Sequence, residues 1–79
     1  MTIPRAVLDL RTHLGLDGSE FGKVVGKVSR QAVSYWESGE TTPRATHLSA
    51  MIGLAHRSGA AKGIAEALEN ALGDGEARA

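Results

Sequence analysis

The stretch from Ser29 to Ser38 carries the densest set of side chains able to do chemistry. Advanced by about 100° per residue, as on an α-helix, Arg30, Gln31, Ser34, Tyr35 and Ser38 fall on one contiguous polar stripe. Ala32, Val33 and Trp36 fall on the opposite side, with Glu37 at the boundary beside Val33. Every residue of the stripe donates or accepts hydrogen bonds. An arginine matches the two acceptors that guanine shows in the major groove, and a glutamine matches the donor–acceptor pair of adenine. Such a stripe suits the base edges and phosphates of a DNA duplex. The plainer reading is a solvated face. Tyr35 suits either reading or packing, and Trp36, on the Val33 side, reads as core.

Other chemistry is poorly supported. Gly22 to Lys27 (GKVVGK) has the flavour of a phosphate-binding loop, but the spacing fails and no Ser or Thr follows Lys27. His47 and His56 stand on opposite sides of one expected helix, and neither has a carboxylate or histidine four residues on. They and His13 read as surface histidines, so no metal is expected. With no cysteine there is no disulfide or thiolate site. No Ser/His/Asp set or paired carboxylates stand out, so neither catalysis nor a cofactor is expected.

The stripe needs elements to hold it. Ile3, Val7, Leu10 and Leu14 recur at helical spacing and predict helix 1 from Ile3 to Leu14, with Pro4 in its first turn and Gly15 as its stop. Asp17 and Glu20 have the spacing of a capping box, which opens helix 2. Phe21, Val24 and Val25 form its apolar side, and Gly26 ends it at a position needing a left-handed residue. Ser29 caps helix 3 and Gly39 ends it. Thr42 caps helix 4 with Pro43 at its first position, and Ala45, Leu48, Met51, Ile52 and Ala55 face inward. Gly59 breaks that helix. Helix 5 runs from about Ala61 to Leu72, with Ile64, Leu68 and Leu72 in line. The fold class is therefore all-α: one compact five-helix domain over residues 1–73, with a polar, frayed end over 74–79.

Two short helices joined by a tight glycine turn are how a helix-turn-helix presents a reading stripe. The stretch Leu10 to Pro43, LRTHLGLDGSEFGKVVGKVSRQAVSYWESGETTP, resembles the Cro/lambda-repressor-type helix-turn-helix family. The LR…LGL lead, the capped second helix, the turn glycine, the SRQAVSYWESG helix and the following proline all match. The resemblance implies a lambda-repressor-like domain with helices 2 and 3 as the helix-turn-helix. It also implies Arg30, Gln31, Ser34 and Tyr35 as base-facing. Ser29, with Gly18 and Ser19 at the start of helix 2, would approach phosphates, as would Ser38. The family pairs a helix 1 arginine with the glutamate ending helix 3, which here are Arg11 and Glu37. One departure stands out: two residues, Lys27 and Val28, separate the turn glycine from Ser29 where the family places one. Val28 is expected in the core, and Lys27 is an insertion projecting toward a phosphate.

The function expected is a transcriptional repressor binding double-stranded operator DNA in the cytoplasm. No stretch is apolar enough to span a membrane. A homodimer is expected, because one recognition helix covers half of a typical site. Ile64, Leu68 and Leu72 are its expected contacts, ringed by alanines. The charge is against this reading. Lys plus Arg number 9 and Asp plus Glu number 9, for a net charge of zero, whereas duplex binding draws on a basic excess. The middle of the chain leans basic (Lys23, Lys27, Arg30 and Arg44 against Glu37 and Glu40) and the end acidic. The alternative is a helix-turn-helix that binds another protein and no DNA.

Overall fold

The computed structural model describes residues 1–78, with side chains described for residues 1–73. It is all-helical: α1 (Ile3–Leu14), α2 (Gly18–Gly26), α3 (Arg30–Ser38), α4 (Ala45–Ser58) and α5 (Lys62–Arg78). α2 packs on α3, α1 crosses both α3 and α5, and α4 joins α5 to α2. The core between them is built from Ala6, Val7 and Leu10 of α1, Phe21 and Val25 of α2, Val33 and Trp36 of α3, Leu48, Met51 and Ala55 of α4, and Ile64, Ala65 and Leu68 of α5.

The caps expected around the two central helices are in place. The Asp17 carboxylate accepts from the Glu20 N–H at 2.8 Å, and Glu20 accepts from the Asp17 N–H at 3.0 Å. Ser29 Oγ accepts from the Ala32 N–H at 3.1 Å. Glycines 15, 39 and 59 take left-handed caps at φ 70°, 85° and 68°. Each satisfies donors or acceptors that a helix end leaves orphaned.

Four expectations are corrected. The left-handed cap of α2 is Lys27 (φ 60°), not Gly26; Gly26 lies inside the helix bounds at φ 153°, itself accessible only to glycine. α4 starts at Ala45 after Arg44, which makes no side-chain cap bond, so Thr42 caps nothing. Pro43 is buried ahead of that helix. A proline pushes the residue before it into extended backbone, which holds Thr42 out of a helix. Ala45 is exposed, as is Val24, at 51%. Each sits off the narrow face that a short helix turns inward, Ala45 in the first turn of α4 and Val24 beside the buried Val25. Finally, α5 passes through Gly73 to Arg78 instead of stopping at Leu72, because glycine ends a helix only where it turns left-handed. The expected frayed end, 74–79, falls outside the residues with described side chains.

Helix 5 packs within the chain. Ile64 and Leu68 are core residues of the single chain, packed under α1 and α4, and Leu72 is half-buried at the margin. Two residues of the row named as partner contacts, Ile64 and Leu68, thus pack inside the fold of the single chain.

Candidate nucleic-acid interface

α3 is short, capped at both ends and anchored by two buried side chains, Val33 and Trp36. That anchoring decides which way the rest of the helix faces. Arg30, Gln31, Ser34, Tyr35 and Ser38 are all exposed, Tyr35 at 37%. Trp36 lies against His47 with ring centroids 5.3 Å apart and an interplanar angle of 43°, which is packing and not an open stacking surface.

The start of α2 stands beside the start of α3. A methyl group on Gly18 would lie 3.3 Å from Arg30 Cγ, so the arginine stem crosses the first turn of α2. A cleft of about 480 Å³ runs here, lined by Asp17, Gly18, Ser19, Arg30, Ser34 and, at its floor, Arg11, Val33 and Glu37. It brings Gly18 and Ser19 together with two stripe residues. Lys27, Ser29, Gln31, Tyr35 and Ser38 lie outside it.

The floor of the cleft is an ion pair. Arg11 Nε donates to Glu37 Oε2 at 2.6 Å and an Arg11 terminal nitrogen to Glu37 Oε1 at 3.2 Å. The other terminal nitrogen donates to the Leu16 carbonyl at 3.1 Å. One guanidinium therefore ties together α1, the end of α3 and the turn into α2. The bond to Glu37 raises the Arg11 pKa above its ordinary value against the opposing effect of burial, with the Glu37 and Asp17 charges adding to the rise. Arg11 is a permanent cation spent on structure.

The distribution of ion pairs changes the meaning of the zero net charge. Away from the helix-turn-helix, Arg5 pairs with Asp9, His56 meets Glu69 and Lys62 lies near Glu66. Among the described residues, Lys23, Lys27, Arg30 and Arg44 form no ion pair. They lie on α2, its cap, α3 and the N-cap of α4. The Asp17 carboxylate at the cleft is engaged with the backbone of α2.

Sequence reasoning missed two features. Arg44, counted only as a charge, is the exposed N-cap of α4. Gln31 and Tyr35, read as independent side chains, are hydrogen-bonded: Gln31 Nε2 donates to Tyr35 Oη at 2.7 Å. Their spacing of one helical turn was the available signal.

Among the described residues there is no cluster of acidic, histidine or cysteine side chains able to hold a metal, and no helix is long and apolar enough to cross a membrane. A family model described as Helix-turn-helix matches residues 7–54, more than half of the chain. No curated protein and no solved structure matches the chain.

Proposed function

The chain belongs to the Cro/lambda-repressor-type helix-turn-helix family of DNA-binding regulators, and we propose that it is a sequence-specific repressor that seats α3 in the major groove of an operator. The exposed polar row on a helix whose other side is locked into the core carries this reading. Arg30 and Gln31, at the start of α3, reach furthest toward base edges, with Ser34 and Tyr35 one turn behind. Gly18 and Ser19 at the positive end of α2, with Lys27, Ser29 and Ser38, hold the phosphates to either side. The cations of α2, its cap, α3 and the N-cap of α4, which form no ion pair among the described residues, supply the electrostatic attraction that the net charge hides. Residues 1–73 act as the DNA-binding unit, and the site of action is cytoplasmic.

One such helix reads half of a typical operator, so two copies would bind half-sites about one helical turn apart. With Ile64 and Leu68 committed to the core, pairing falls to the outer end of α5, around Leu72.

Selection of bound duplexes from a random pool, followed by gel shifts over a salt series, tests the whole reading. A repressor yields a consensus and an affinity that falls steeply with salt. Arg30→Ala and Gln31→Ala should each cost about 1–3 kcal/mol on that consensus and relax preference at one base pair. A helix-turn-helix that serves only as a protein-binding module would retain no duplex even at low salt.

A further inference from the structure

We infer that Tyr35 is a positioning residue, and that Gln31 and Tyr35 act as one preassembled reader specific for adenine. This rests on the DNA-reading role of α3 proposed above.

The inference starts from the bond itself. Gln31 Nε2 donates to Tyr35 Oη at 2.7 Å, between two exposed side chains one turn apart. A free glutamine on a helix surface has mobile torsions and an amide that turns either way. Bound to Tyr35, the amide loses that freedom before any duplex arrives, so less ordering remains to be done on binding. The bond uses one of the two Nε2 hydrogens. The second hydrogen and the carbonyl oxygen stay free, as a donor and an acceptor in fixed order.

That order decides what is read. In the major groove adenine offers an acceptor at N7 beside a donor at N6, which a donor–acceptor edge matches at both points. Guanine offers two acceptors, N7 and O6. A mobile amide can turn its NH2 group toward them; an amide held by Tyr35 meets one of them with its own carbonyl oxygen. Tyr35 therefore excludes guanine as much as it favours adenine, and specificity is the difference between the two.

Tyr35 is itself fixed from beneath. Its neighbour Trp36 is buried, and its own carbonyl accepts from the Ser38 hydroxyl at 3.1 Å and the Glu40 N–H at 3.0 Å. The backbone that carries the phenol is thus held at the capped end of α3.

The test measures affinity by fluorescence anisotropy for four labelled duplexes. Each carries the consensus selected by the wild-type chain, with A, G, C or T at the position whose preference Gln31→Ala relaxes. We expect the wild type to prefer adenine there by about tenfold or more. Tyr35→Phe, which removes only the hydroxyl, should lower the adenine-over-guanine ratio by about three- to tenfold. Its thermal midpoint and its salt slope should not change. In a Gln31→Ala background the same substitution should leave the ratio unaltered. Full adenine preference in Tyr35→Phe overturns the inference, and so does an equal loss with and without Gln31, since Tyr35 would then read DNA on its own. A wild-type chain that selects no consensus fails the DNA-reading role itself, and the inference falls with it.

Discussion

Gly22 and Val28 meet backbone to backbone across the turn between α2 and α3. The Val28 N–H donates to the Gly22 carbonyl at 3.0 Å, and the Val28 carbonyl oxygen fills the space that a side chain on Gly22 would occupy. Even the Val28 carbonyl carbon would stand 3.0 Å from an added methyl group. The opposing atoms are backbone, so no rotamer change relieves the overlap. Gly22→Ala should destabilise the fold by about 2–4 kcal/mol in urea unfolding. Gly73, in α5, has nothing within 4 Å of such a methyl group. Gly73→Ala should stabilise by up to about 1 kcal/mol through helix propensity. A neutral Gly22→Ala would refute the close approach.

The Arg11–Glu37 pair makes a coupling measurable. Its side chains are 24% and 19% exposed, so the pair is partly shielded from water and from screening by salt. Removing either partner leaves a half-buried charge behind. A double-mutant cycle on thermal unfolding with Arg11→Ala and Glu37→Ala should show a coupling of about 1–2 kcal/mol. Arg11→Lys should recover little, because an ammonium cannot hold two carboxylate oxygens in a planar fork while also bonding the Leu16 carbonyl. Additive single changes would count against the pair as a tie between α1 and α3.

Lys27 separates stability from binding. It is the one non-glycine residue at positive φ among those described. The left-handed conformation costs an ordinary residue about 1–2 kcal/mol, partly offset in a glycine variant by the freer unfolded chain. Lys27→Gly should therefore raise stability by about 0.5–1 kcal/mol. If Lys27 neutralises a phosphate, the same variant should bind duplex DNA more weakly, with a salt slope smaller by about one. Lys27→Gln should weaken binding alike and leave the thermal midpoint in place. A salt slope unmoved in both variants removes Lys27 from the DNA contacts.

Leu68 distinguishes a core position from a partner surface. It is fully buried in the single chain. Leu68→Ala should cost about 2–5 kcal/mol, and Leu68→Glu should abolish cooperative unfolding, since an unpaired carboxylate would have to be buried. A folded, soluble Leu68→Glu chain with altered sedimentation would instead return Leu68 to an intermolecular interface.

Local signals were enough for most of the helix ends and for the direction of α3. Asp17 with Glu20, Ser29, and glycines 15, 39 and 59 act through bonds within a few residues of themselves, so their roles are written in short stretches of chain. The 3.6-residue period likewise sorted α3 into Val33 and Trp36 beneath and the polar row above. The tertiary structure decided what depends on distant neighbours. Whether the apolar row of α5 met the same chain or another rested on how α1 and α4 close over Ile64 and Leu68. Whether Val24 was buried depended on how wide a face of α2 its neighbours cover. Gly22 was recognisable as a small residue, but only the folded turn brings the Val28 carbonyl onto it. Charge shows the same division: composition gives a sum of zero, while among the described residues Lys23, Lys27, Arg30 and Arg44, on α2, its cap, α3 and the N-cap of α4, form no ion pair. A sum over the chain is blind to distance, and electrostatic attraction is not.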